Sequence, residues 1–320
     1  MTARKTPIEK VIDELLDETR ELPRRSLQEF SDIEPDSLKI MLEAWPRIKP
    51  ERRRLLLERL QEISDNDTLV CFDDFARALL ADGDSQVRTR AIRLLAECDD
   101  IKLVPPFIKI LVSDDNIDTR VEAASALGKY VELGELEEIP EKTRRQVEDA
   151  LLQKIGSEDK AFVRRSALES LGFSSRDEIV TLIESSFRRE DPEWQASALR
   201  AMGRSSDDRW EEQVIARMMD ENPLVRLAAV EAAGALELSS TRMLLFKILE
   251  EEEEDDIVGA AIWSLSQVGG EDVRLFLENL IDQTDDEDQI EFLEEALDNL
   301  TFSEDLSRFD LISFDAGEEE

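Results

Sequence analysis

The fold predicted by this sequence is all-α: a right-handed α–α superhelix, a solenoid of about eight stacked helix pairs. Three observations carry that expectation. One motif recurs along most of the chain, an amphipathic helical pattern precedes each copy, and strand signals are nearly absent.

The motif is an acidic turn followed by a short helix of the form V-R-x-x-A-L-x-x-L-G. Its clearest copies are DSQVRTRAIRLLA at 84–96 and DKAFVRRSALESLG at 159–172. Others follow at 116–128, 191–203 and 222–234, with weaker ones at 51–60, 255–266 and 288–300. The valine position serves as a phase marker and falls at Arg52, Val87, Thr119, Val163, Trp194, Val225, Ile257 and Phe292. Successive markers lie 35, 32, 44, 31, 31, 32 and 35 residues apart. Spacings near 31–35 suit a helix–turn–helix unit. The long one coincides with ELGELEEIPEKTRR at 132–145, which reads as an insertion with its own turn.

Each element then has a reason. Segments such as VPPFIKILVSD and EIVTLIESSF ahead of the markers supply the first helix of each pair. Four residues after the marker stands Ala91, Ala123, Ala167, Ala198, Ala229, Ala261 or Ala296, small enough for neighbouring helices to approach closely. Gly128, Gly172, Gly203 and Gly234 fall where a left-handed glycine would close the second helix. Asp or Asn before each second helix suits an N-cap, and Pro192 and Pro223 suit a helix start.

On these residues the chain resembles the HEAT-like (armadillo-like) repeat proteins, in particular the short variety of phycobilisome lyase subunits and many bacterial repeat proteins. The resemblance covers about residues 37–302. It implies a ladder between repeats, built by an Asp and the Arg after the marker: Arg88, Arg120, Arg164 and Arg226 match, whereas Gln195 and Val258 break it. Residues 1–36 are expected to cap the array, starting from a capping box at Thr6-Pro7-Ile8-Glu9 and an apolar face of Ile8, Val11, Ile12, Leu15 and Leu16. Residues 303–320 form an acidic tail whose Leu306, Phe309, Leu311, Ile312 and Phe314 could fold back or dock, with Ala-Gly-Glu-Glu-Glu at the end expected to be disordered.

Composition narrows the function. There is no histidine, which removes Ser–His and Cys–His nucleophiles and every imidazole metal site. HEAT-like di-iron hydroxylases, which use His–Glu pairs, are excluded on that ground. The net charge of −37 repels phosphate backbones, so nucleic acid is not an expected partner, and the basic-groove DNA glycosylases of this fold are a poor match. No membrane span and no secretory signal are expected, which points to the cytoplasm. Cys71 and Cys98 read as buried structural thiols in apolar helical patterns. Trp45, Trp194, Trp210 and Trp263 read as core, with the proviso that an exposed one would suggest a binding hot spot. Asp207-Asp208 and Asp285-Asp286 read as solvated turns.

Charge is polarised. Residues 250–320 hold 26 Asp and Glu against two Arg. A salt-adapted surface would be acidic throughout, so this local excess points to local function. The expectation is therefore a non-catalytic scaffold or adaptor without cofactor or metal, binding a protein with a basic surface. Candidate contacts on the second helices are Arg90, Arg93, Arg165, Glu169, Arg200 and Arg204, taken as exposed. The acidic end adds Glu250, Glu251, Glu252, Glu253, Glu254, Asp255 and Asp256. The alternative, implied by the resemblance, is a lyase-like or chaperone-like subunit acting on a chromophore-carrying protein.

Overall fold

The computed structural model describes residues 7–17, 19 and 22–315, with side chains as far as Ser303. Among these residues every regular element is helical. The contacts divide the chain into two compact units, 1–171 and 172–320.

The first unit opens with helix α1 (Pro7–Leu16), whose Ile8, Val11, Ile12 and Leu15 are buried. It packs on α3 (Pro35–Ala44), while α2 (Arg24–Leu27) runs into a 3-10 turn that buries Phe30. Thr6, the expected cap of α1, lies outside the described residues. Four helix pairs make up the unit: α3 with α4 (Pro50–Asn66), α5 (Asp73–Leu79) with α6 (Ser85–Leu94), α7 (Val104–Ser113) with α8 (Ile117–Glu135), and α9 (Glu141–Ile155) with α10 (Ala161–Leu171). The second unit has four more: α11 (Asp177–Phe187) with α12 (Pro192–Arg204), α13 (Glu211–Ile215) with α14 (Pro223–Ala235), α15 (Arg242–Glu251) with α16 (Asp255–Val268), and α17 (Glu271–Gln283) with α18 (Glu287–Asp315). The backbone helix of α18 passes residue 302 without a break. The side chains of Leu306, Phe309, Leu311, Ile312 and Phe314, and the Ala-Gly-Glu-Glu-Glu end, lie outside the described residues.

In each unit the second helices pack directly on one another: α4 on α6, α6 on α8 and α8 on α10 in the first, α12 on α14, α14 on α16 and α16 on α18 in the second. All seven alanines four residues after the marker are fully buried in this contact. The expected glycine role is corrected. None of Gly128, Gly172, Gly203 and Gly234 has a left-handed φ. Each instead faces a small residue of the next second helix, and a Cβ added there would collide with it at Gly172 and Gly234 and crowd it at Gly128 and Gly203. Gly128 would meet Ser170 at 3.1 Å, Gly172 the Ala201 carbonyl oxygen at 2.5 Å, and Gly203 the Ala232 Cα at 3.0 Å. Gly234 would meet Ser264 Oγ at 2.6 Å. The serines use this proximity: Ser170 Oγ donates to Ala124 O and Ser264 Oγ to Val230 O across the helix pair. A left-handed glycine closes only α16 among the described second helices, at Gly269, and Ser206 takes that conformation after α12. Glu137 and Glu237 take the left-handed turn, and the following N–H groups bond back to Leu133 O and Ala233 O.

The expected caps are present at four of the second helices, whereas α4 and α16 start at Lys49 and Glu254 without a side-chain cap. Asp84, Asn116, Asp191 and Asn222 each accept a first-turn N–H, and Pro192 and Pro223 occupy first-turn positions. The 44-residue spacing is not a separate insertion. It is absorbed by length, since α8 has 19 residues and α9 has 15, against 10 each in α6 and α7.

Candidate functional site

The arginine after the marker ties successive repeats together. Arg88 donates to both carboxylate oxygens of Asp114 at 2.8 and 2.7 Å, and Arg120 to both of Asp159 at 3.0 and 2.7 Å. Arg226 grips Glu252 in the same two-toothed way. A third guanidinium nitrogen satisfies a carbonyl six residues earlier: Asp82 O from Arg88, Asp114 O from Arg120, Asp220 O from Arg226. These rungs are half-buried, and that shows in the acids. Burial pushes the Asp159 carboxyl up, but the hydrogen bonds from Arg120 and Lys154 outweigh it and hold the group far below the usual range. The Arg226 bond likewise holds Glu252 down. Arg164 donates to Ile155 O. At Gln195 only the carbonyl bond persists, to Arg189 O at 2.7 Å. Arg189 stands where other turns have an acid, and its guanidinium lies 4.0 Å from the Trp194 ring centre.

The candidate contact residues do not converge on one site. Arg90 is half-buried beside Glu58, and Arg93 is exposed and bonded to Glu122 at 2.8 Å. Arg200 reaches Glu231 at 3.1 Å, Arg204 lies over the Phe173 ring, and Glu169 is half-buried. Arg165 is corrected: it is buried, with its guanidinium 4.8 Å from the ring centre of Phe162, which is itself exposed. The structure thus uses several of these charges to join neighbouring second helices.

The acidic run behaves differently. Glu252 is locked to Arg226 and Glu251 lies near Lys247. Glu250, Glu253, Glu254, Asp255 and Asp256 are exposed and have no ion-pair partner among the described residues. Beside them lies a groove of about 770 Å³ on the second-helix row. Leu227, Gly259, Ala260 and Phe292 line it together with Glu231, Asp255 and Asp256. Trp263 overlooks it.

Trp263 is the second correction. Trp45, Trp194 and Trp210 are core, but Trp263 is 38% exposed and stacked on Phe292, with ring centres 6.5 Å apart and planes at 29°. A signal for it exists in the repeat. Six residues after each marker stand Glu58, Arg93, Ser125, Glu169, Arg200 and Glu231, all polar, and then Trp263.

The cysteines are also displaced from expectation. Both sit in loops, Cys71 exposed and Cys98 partly so. Burial nonetheless raises both thiols, Cys98 to about 11, so they are protonated and poorly nucleophilic at neutral pH. Among the described residues no group of three or more Cys, Asp or Glu is placed to hold a metal ion, and no helix is long and apolar enough to cross a membrane.

The HEAT-repeat family model matches residues 73–172, 179–266 and 212–298, more than half of the chain. This chain belongs to the HEAT-repeat family. No curated protein sequence matches it. Among solved structures, this HEAT-repeat protein is similar to a chain of the CpcE–CpcF complex of phycocyanin lyase from Nostoc sp. PCC7120, at 16% identity and a TM-score of 0.52, over 94% of this chain and 97% of that one. Human deoxyhypusine hydroxylase matches at 16% identity and TM-score 0.34, over 81% of this chain and 95% of that one. Kap95p, in a structure of its complex with RanGDP, matches at 15% and 0.40, over 92% of this chain and 41% of that one. At these identities the likeness is one of fold.

Proposed function

We propose that this HEAT-repeat chain is a non-catalytic cytoplasmic adaptor that binds a partner protein with a basic surface through the second-helix row around residues 250–263. The observation that carries this reading is the pairing of unneutralised acid with an open aromatic groove. Several charges elsewhere on the second-helix row are spent on neighbouring helices, as in Arg93–Glu122 and Arg200–Glu231. At Glu253, Glu254, Asp255 and Asp256 they are left for solvent or a partner. Such a patch steers cationic surfaces and speeds their encounter. A role on a chromophore-carrying protein would rest on the likeness to the phycocyanin lyase complex, which concerns fold alone.

The test uses the full chain against immobilised Lys/Arg-rich peptides and acidic peptides of equal length. The wild type is expected to bind only the basic set. The variant Glu253→Gln/Glu254→Gln/Asp255→Asn/Asp256→Asn is expected to bind about tenfold or more weakly, since each solvated charge contributes a few tenths of a kcal/mol to about 1. Equal binding by the variant overturns the reading.

A further inference from the structure

We propose that the groove between α14, α16 and α18 receives an arginine-bearing segment of the partner, with one guanidinium laid on Trp263 and its charge met by Asp255 and Asp256. This rests on the basic-partner reading and names the side chain recognised.

Helical geometry puts the parts on one face. Asp255 and Gly259, Asp256 and Ala260, and Gly259 and Trp263 are all four residues apart in α16. The two acids therefore lead into the small pair, and the small pair leads to the indole. Gly259 is explained neither by backbone conformation nor by packing. Its φ is not left-handed, and an added Cβ would meet nothing within 4 Å. This contrasts with Gly172 and Gly234, which their neighbours require. The consequence of Gly259 is open space in front of Trp263. Phe292 backs the indole from α18, and the ring remains 38% exposed.

Charge and shape together select the occupant. A flat, weakly hydrated guanidinium stacks on an indole and still offers its N–H edge to carboxylates, which a compact, strongly hydrated ammonium does less well. Glu231, which also lines the groove, is already held by Arg200, so Asp255 and Asp256 supply the free charge.

The experiment measures anisotropy of two short labelled peptides, Arg-Ser repeats and Lys-Ser repeats of equal length and charge, with the full chain. The Arg peptide is expected to bind about fivefold tighter, the scale of a partly desolvated cation–π contact. Trp263→Ala should erase that preference. Gly259→Leu, which fills the groove from an open helical position, should weaken the Arg peptide about tenfold without lowering the melting temperature. Equal binding of both peptides, lost only on Asp255→Asn/Asp256→Asn, would remove the stacking proposal and leave the basic-partner reading intact. Binding of neither peptide would remove both. A concentration-dependent dimer abolished by Trp263→Ala would assign the groove to a second copy of the chain and overturn the proposal.

Discussion

A methyl group placed on Gly172 would sit 2.5 Å from the Ala201 carbonyl oxygen and 2.7 Å from its Cα. Both are backbone atoms, which cannot swing aside as a side chain could. Gly172→Ala is therefore expected to cost about 1–3 kcal/mol of unfolding free energy, the scale of overpacking a tight core. Gly259→Ala should do the reverse. Its Cβ meets nothing, and replacing a mid-helix glycine gains about 0.5–1 kcal/mol through the lower entropy of the unfolded chain. Urea unfolding of the two variants reads the difference, and effects of the same sign would refute the close-approach account. Sequence places Gly172 at the end of the motif and Gly259 near its start, but it does not show what the motif glycine does. A glycine after a helical run is spelled the same whether it closes the helix or admits a neighbour, and only the position of Ala201 decides.

Between elements, the rung at Asp159 is the most heavily committed. Its carboxylate serves Arg120 from α8 and Lys154 from α9, and Lys154 is itself buried. Asp159→Asn leaves both cations short of their counter-charge, and a loss of about 3 kcal/mol is expected. The pH dependence has a definite sign. The folded carboxyl titrates below its unfolded value of about 3.9, so its contribution is complete above that value and disappears as the pH falls through the folded one. The gap between wild type and Asp159→Asn in urea unfolding should thus be full at neutral pH and close below about pH 3.9. A gap that persisted unchanged into strong acid would show that Asp159 acts through packing instead. Much of this level was legible beforehand, because the marker, the Arg after it and the alanine column repeat in phase. Arg165 was not, and Trp263 was legible only as a departure from its column. Trp263 stands in a column of polar residues, and an averaged motif hides that departure; Arg165 shares its column with Arg54 but also with Val121, Ala196 and Leu227, so the column does not fix its exposure.

At the scale of the whole chain, the net charge of −37 is uneven, and its densest run lies where few cations answer it. The run from Glu250 to Asp256 places seven acids at the turn between α15 and α16, and among the described residues only Arg226 and Lys247 answer them. Like charges at this spacing repel at low ionic strength and are screened once the Debye length shrinks, from about 30 Å at 0.01 M to about 8 Å at 0.15 M. The melting temperature should therefore rise by a few degrees across that range and then level off. Glu253→Gln/Glu254→Gln should recover much of the rise without salt, because the repulsion is local. A surface acidic throughout predicts a different curve, climbing into molar salt and insensitive to two substitutions. If the curve levels and the pair cures it, the same acids that weaken the free chain are those a basic partner would neutralise. The strain they place on the free fold then becomes part of the affinity, since any ligand that binds the folded chain alone stabilises it by mass action.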